Sequence, residues 1–319
     1  VAFGAIPDDK DDDADAIQRA IDEGSRSGKA VFLPKGRYLI GRTIQLREDT
    51  KLFGVSRNLS IIDCVPQWRA ETNTPMFDTE DSVAADTLLA FLRIEMPSDV
   101  ARRIYPLRWR AGRHSMVREV WFRKDWGPTG RVDLQRVLVT GSGGGRWYNL
   151  FHRAGQNSSS HPEHRYLLVQ GPRDPLNIYT YCVEYAITEG GYQAEFNDAS
   201  NICLFGFKCE TDLTKKAIVT TLGINDCRNV LITGNTGLAS APLGRGIIEV
   251  KGSDDVTAAN LARFSYKGDN SSKWYYVLDR DWKRGILESE PRQESDKTNN
   301  VVSLYKRGHC VPIPIPPEE

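Results

Sequence analysis

No apolar run in this sequence approaches the ~20 residues that a bilayer-spanning helix needs. Neither charge sign is in excess, with 42 Lys and Arg against 42 Asp and Glu. The first absence argues against a membrane partner, and the second against nucleic acid or an anionic membrane surface. Histidine is scarce, with five in all, and the six cysteines form no CxxC and no Cys/His pattern of metal-ligand spacing. No metal site and no cofactor is therefore expected. Cys203 and Cys209 lie near enough to pair, although buried inert thiols are the commoner outcome for such residues. The sequence opens at Val1 without a leader-like segment, which fits either a leader already removed or a start inside a longer chain. Sustained helical periodicity is also missing after the first thirty residues.

In its place there is a repeat. The segments FNDASNICLFGF from Phe196, INDCRNVLITGN from Ile224 and VKGSDDVTAANL from Val250 match position by position at offsets of 28 and 26 residues. Each begins with an apolar residue and a polar turn that ends in Asn201, Asn229 or Asp255. A short β-branched strand follows, closed by Gly206, Gly234 or Asn260. A strand-plus-turn unit of this length cannot bury its own apolar face, so it must stack on copies of itself. The pattern predicts an all-β fold, a single right-handed parallel β-helix. Its expected parts are an N-terminal cap over 1–30, coils over 31–264, and last coils with a terminal wrap over 265–319. Asn201, Asn229 and Asp255 are expected in equivalent turns of successive coils. Cys203, Phe205, Phe207 and Cys209 are expected to point inward, leaving Lys208 and Glu210 outside.

At the start, an acidic run from Asp8 to Asp15 precedes an amphipathic stripe of Ile17, Ala20 and Ile21. These predict a capping helix from about Asp12 to Glu23, N-capped by Asp12 or Asp13 and ended by Gly24 or Gly28. The acidic run reads as a solvated helix start and not as a calcium site. The strands AVFLP, RYLI, TIQL and TKLFG follow. This stretch, FGA…DDDADAIQRAID…GKAVFLPKGRYLIGRTIQL…TKLFG, resembles the opening motif of the pectate lyase superfamily of right-handed β-helices. It lacks only the Gly of that motif's acidic turn. The resemblance implies a fold and leaves the chemistry open.

Aromatic residues gather further on, at Trp109, Trp121, Trp126, Trp147 and Tyr148. On a β-helix flank such rings can stack against the apolar face of a sugar. Trp121, Trp147 and Tyr148 are therefore candidate substrate contacts. The run Gly143-Gly144-Gly145 lacks the Lys-Ser/Thr ending and the following helix of a phosphate loop.

Carboxylates concentrate next. Glu184, Glu195 and Glu210 fall within one or two coils, and stacked strands lie ~4.8 Å apart. They are the candidate catalytic residues, with Lys208 and Asp212 as contacts beside Glu210. This region resembles glycoside hydrolase family 55, exo-acting β-1,3-glucanases built on β-helices. Glu184, in CVEY, falls on the Glu of that family's Pro-Glu-His motif. Glu210, in KCETD, falls on the general acid of its Gln-Thr-Glu motif, 26 residues later. Val183, Tyr185, Lys208 and Cys209 replace the remaining motif residues. The resemblance implies a glycoside hydrolase with Glu210 as proton donor and a polysaccharide partner. The alternatives are a polysaccharide lyase acting on a uronate polymer and a non-catalytic carbohydrate-binding or adhesion module. A secreted, periplasmic or cell-surface location is expected for any of the three.

Overall fold

The computed structural model describes residues 2–96, 103–124, 135–153, 164–186, 191–211, 220–236, 245–264, 275–281, 284–287, 298–300 and 304–307. Helix α1 (Ala14–Ser27) precedes three short strands, β1 (Val31–Leu33), β2 (Gly36–Ile40) and β3 (Ile44–Leu46), which make the first coil. The same triplet recurs as β4 (Lys51–Gly54), β5 (Ser60–Cys64) and β6 (Thr74–Thr79), then as β7 (Leu88–Ala90), β8 (Arg93–Met96) and β9 (Ile104–Trp109). A fourth triplet is β10 (Met116–Arg118), β11 (Trp121–Lys124) and β12 (Val137–Thr140). From there the first two strands of each coil become one long bent strand. The remaining coils are β13 (Gly145–Arg153) with β14 (Leu167–Gln170), β15 (Leu176–Ala186) with β16 (Tyr192–Asn197), and β17 (Ser200–Thr211) with β18 (Thr220–Asn225). They end with β19 (Arg228–Thr236) and β20 (Gly246–Lys251), then β21 (Asp254–Phe264) and β22 (Tyr275–Asp279).

Every pairing between these coils is parallel, and two sheets result. The first and second strands of each triplet both lead into β13, whose two halves continue β10 and β11. The third strands form the second sheet, from β3 through β22. The fold is a right-handed parallel β-helix with one N-terminal helix. At the far end β23 (Arg284–Leu287), β24 (Thr298–Asn300) and β25 (Leu304–Arg307) pair antiparallel with β22 and β21. Antiparallel strands laid on the last coil close an edge that would otherwise template further pairing.

Helix α1 runs four residues past the expected Glu23, because Gly28 and not Gly24 takes the left-handed C-cap conformation, φ 66°. Its acidic start is more than a solvated face. Asp12 Oδ1 accepts from the backbone N–H of Ala14 and of Gly41, at 2.9 Å each. Asp13 accepts from Ile6 N at 2.8 Å and Leu39 N at 3.2 Å, stitching the cap to β2.

The bend within each long strand is a single residue at positive φ. Asn149, Thr180, Gly206, Gly234 and Asn260 take φ 55°, 64°, 71°, 74° and 53°. A left-handed residue resets the in–out alternation of a strand. In β17 the inward residues are Ile202 and Leu204 before Gly206, then Phe207 and Cys209 after it. Cys203 and Phe205 thus turn outward, contrary to simple parity, while Lys208 and Glu210 are outward as expected.

A second corner carries the predicted ladder. Asn201, Asn229 and Asp255 take φ 61°, 53° and 50° in successive coils. Asn229 Nδ2 donates to Asn201 Oδ1 at 2.7 Å, and Asn201 Nδ2 donates to Arg173 O at 2.8 Å. Left-handed φ costs an ordinary L-residue ~1–2 kcal/mol, which Asn offsets through local hydrogen bonds. Asn229→Ala is expected to lower the unfolding free energy by about 1–2 kcal/mol in a urea titration. Asn229→Gly should cost less, since glycine adopts this φ freely. Equal losses in the two variants would assign the effect to the amide ladder alone.

The lumen of the central coils holds polar groups. His152 stacks on Phe122 at 5.2 Å and lies 5.3 Å from Tyr181, with no hydrogen-bond partner on either ring nitrogen. Arg136, also buried, donates to Phe122 O at 3.1 Å and Arg153 O at 2.8 Å. Burial, then the charges of Arg136 and His164, push the His152 imidazole well below its usual range. Below about pH 6.5 the unfolded chain therefore binds a proton that the folded chain refuses. Stability is full above that pH and falls as pH drops, by up to about 1.4 kcal/mol per unit for one such group. His152→Phe is expected to flatten the dependence of Tm on pH between roughly 6.5 and 5. An unchanged slope would place the acid sensitivity elsewhere.

Candidate functional site

The outer surface of the second half-strands carries two columns of side chains along the solenoid axis. The inter-strand register aligns Arg93, Trp121, Phe151, Cys182 and Lys208 in one column. It aligns Glu95, Arg123, Arg153 and Glu184 in the other, and Glu210 follows on the next coil. At the C-terminal end, Lys208 Nζ lies 3.3 Å from Glu184 Oε1 and 3.0 Å from Glu210 Oε1. With one nitrogen shared, those two oxygens are no more than 6.3 Å apart. All three side chains are partly solvent-accessible. Burial alone would lower the Lys208 ammonium, but its bonds to Glu210 and Glu184 and the Coulombic pull of neighbouring groups raise it above its usual range. The neighbouring Cys182 thiol is pushed up to about 11, by burial first and by both carboxylates against the pull of Lys208. It is therefore a neutral thiol and no nucleophile at neutral pH.

Glu195 is not part of this group. It sits on β16, in the other sheet, bound to Arg165 Nε and to Asn225 Nδ2, the latter at 3.1 Å. Eleven residues separate it from Glu184, enough to carry the chain around a corner onto another face. Beyond it Glu249 is enclosed by Arg245, Arg280 and the Tyr192 hydroxyl. Burial would raise the Glu249 carboxyl, but hydrogen bonds from Arg245 and Arg280 outweigh it and hold it low. This second cluster reads as an ionic brace across the coils, with its charges turned on one another.

The predicted aromatic platform divides into three. Trp147 is fully buried, edge-on to Trp109 at 5.7 Å, and both indole N–H groups donate to Gly144 O. Its alternation in β13 turns it inward, so it offers no face to a ligand. The glycine run makes this packing possible, since a Cβ on Gly143 would stand 2.6 Å from Val139 Cγ1. Tyr148 is on the outside, but it stacks on Tyr179 at 5.0 Å and Tyr179 stacks on Phe205 at 5.1 Å, near-parallel in both cases. A ladder of this kind covers ring faces with ring faces and leaves edges to solvent. Trp121 alone lies in the column that leads to Lys208, edge-on to Phe151 at 5.3 Å. Asp212 and Trp126 lie outside the described residues.

Among the described residues no group of three His, Cys, Asp or Glu is placed to hold a metal, and five cysteines are free thiols. A cleft of about 420 Å³ lies at the opposite end, between α1 and β1, lined mostly by apolar residues including Phe3, Ile17 and Phe32. It contains no carboxylate pair and belongs to the cap.

Sequence reasoning missed Arg123, Arg153 and Phe151. Their signal is the coil interval, 30 residues from Trp121 to Phe151 and then 31 to Cys182, but it drops to 26 for Lys208. The uneven interval hides the column.

The family described as Rhamnogalacturonase A/epimerase, pectate lyase-like, matches residues 1–92. No curated protein matches the sequence. Among solved structures, the chain is similar to the A-module of mannuronan C-5 epimerase AlgE4 from Azotobacter vinelandii. That likeness has 12% identity and a TM-score of 0.39, over 87% of this chain and 80% of that one. It is similar to tailspike protein 2 of an Escherichia coli O157:H7 bacteriophage, with 13% identity and a TM-score of 0.49, over 87% of this chain and 40% of that one. It is also similar to the iota-carrageenase of A. fortis, with 14% identity and a TM-score of 0.39, over 84% of this chain and 56% of that one.

Proposed function

We propose that this chain, a right-handed parallel β-helix of the pectate lyase-like kind, is a polysaccharide-acting enzyme and that it works as a glycoside hydrolase. The observation that carries this reading is the Glu184–Lys208–Glu210 group on an open strand face. Glycosidic hydrolysis needs two carboxyl groups, one to protonate the leaving oxygen and one to activate water or attack the sugar, at separations of ~5–9.5 Å. Glu210 takes the donor role and Glu184 the base or nucleophile role. Lys208 bridges the two carboxylates through one ammonium.

The second reading is elimination from a uronate. It is favoured by the same ammonium, which could neutralise the uronate carboxylate while a glutamate removes the C5 proton. The β-1,3-glucan preference implied by the family 55 resemblance rests on Glu184 and Glu210 alone, so it stands as one arm of the test. We place the enzyme outside the cytoplasm, secreted, periplasmic or cell-surface, where polymeric substrates are met.

A polysaccharide panel separates these readings. New reducing ends without near-ultraviolet absorbance are expected of the hydrolase. Reducing ends with that absorbance would replace hydrolysis by elimination. Binding with no turnover on any substrate would reduce the protein to a carbohydrate-binding module.

A further inference from the structure

The three strand edges at the N-terminal end are not covered alike. Residues ahead of the helix cover β2, where Asp8 N donates to Arg37 O at 2.8 Å and Asp13 N to Leu39 O at 2.7 Å. Gln18 covers β3, donating to Gln45 O at 3.0 Å and accepting from Gln45 N at 2.8 Å. Strand β1 pairs with β4 on one side, and among the described residues no backbone group meets its other edge. A bare edge templates pairing with another extended chain. The cleft of about 420 Å³ opens beside it, lined by Phe3, Ile17, Ala20 and Phe32 among others. Of the seven large apolar side chains exposed among the described residues, five, Phe3, Ile6, Phe32, Val55 and Leu59, belong to the cap and the first two coils. Lys29 and Lys35 bracket β1, both exposed and neither in an ion pair.

The sequence holds a segment of matching chemistry. Beyond Arg307 it runs on through residues 308–319 and closes on VPIPIPPEE from Val311. A residue before Pro avoids the helical region, so Val311, Ile313 and Ile315 favour an extended backbone. Alternate residues of a strand share one hydrogen-bonding edge and one side-chain face. These three therefore offer their N–H groups on one edge and an apolar face, while Pro312, Pro314 and Pro316 close the opposite edge to further pairing. Glu318 and Glu319 carry the charge opposite to that of Lys29 and Lys35. We propose that residues 311–319 of a second copy add as a strand to β1, with Val311, Ile313 and Ile315 against the cap cleft and the glutamates at Lys29 or Lys35. The copy's own segment is too short for this. Arg307 lies on β21, eight coil intervals from β1, or ~38 Å along the axis. The eight residues from Arg307 to Ile315 span at most ~29 Å. A three-residue edge offers few backbone bonds, so apolar burial in the cleft carries most of the affinity. The contact joins the tail of one copy to the head of the next, so copies associate in rows. It does not depend on the role of Glu184 or Glu210.

Sedimentation velocity on the full chain over a wide concentration range tests this. The expected result is concentration-dependent association that is lost in a chain ending at Cys310. A fluorescent peptide of residues 311–319 should bind the full chain, read by anisotropy, and in excess should dissociate its oligomers. The same peptide with Ile313→Asp and Ile315→Asp should do neither. Phe32→Glu sets a charge in the apolar cleft and should weaken the peptide by roughly tenfold or more. Either Lys29→Glu or Lys35→Glu should weaken it by roughly fivefold, and the one that does gives the direction of the added strand. A full chain that stays monomeric at every concentration would overturn the proposal. So would oligomers that excess peptide leaves intact, or peptide binding indifferent to Phe32→Glu. The competition between peptide and wild-type chain requires no variant to fold.

Discussion

Replacing Glu210 by Gln is expected to reduce hydrolysis of an unactivated polysaccharide by about 10²–10⁴-fold, the usual contribution of a positioned proton donor. The amide keeps the shape of the side chain and can still hydrogen-bond within the group around Lys208, which lies 3.0 Å from the present carboxylate. Ligand binding should therefore survive while the rate collapses. A substrate with a good leaving group needs less protonation and should lose much less. The measurement is kcat/KM on the two substrates side by side. Near-full activity of Glu210→Gln on the unactivated polymer would remove Glu210 from the chemistry. The search would then move along the same face to the Trp121 and Phe151 surface, since Trp147 is closed to solvent.

Trp147→Ala is expected to cost about 3–5 kcal/mol of stability, the range for deleting a large aromatic from a packed interior. The side chain is fully buried, packs edge-on against Trp109, and donates to Gly144 O at 3.3 Å. Its removal leaves a void in the lumen and takes one of two donors from that carbonyl. The check is a chemical denaturation curve, with Trp121→Ala in parallel. Trp121 lies on the outside, so its loss should alter ligand affinity more than stability. A Trp147→Ala protein as stable as wild type would contradict the interior placement.

The two tryptophans also mark how far the sequence could be read. The coil architecture was legible because a stacked fold repeats its constraints. Apolar residues recur at fixed places, and the left-handed corners demand Asn, Asp or Gly at Asn201, Asn229, Asp255, Gly206 and Gly234. Which side of the wall each residue faces was less legible. A single left-handed residue such as Gly206 shifts the alternation, so Phe205 faces out and Phe207 faces in. The carboxylates followed the same rule. Glu184 and Glu210 lie about one coil apart in sequence and meet at Lys208. Glu195 lies about half a coil from each, 11 residues after Glu184 and 15 before Glu210, and that distance carries the chain onto another face. In a solenoid, residues a full coil apart are neighbours and residues half a coil apart are strangers.

The proposed acid–base group is assembled from β15 and β17 alone, and its internal distances are set by one stacking interval between them. That makes it a two-coil cassette. Duplicating a coil on either side of the pair would lengthen the protein and leave the chemistry intact. Duplicating one between them would separate Glu184 from Lys208 and abolish it. Lineages built on this scaffold are thus free to gain or lose subsites by adding or deleting coils outside the cassette. In such a lineage, the length of glycan gripped could evolve independently of the bond that is cut.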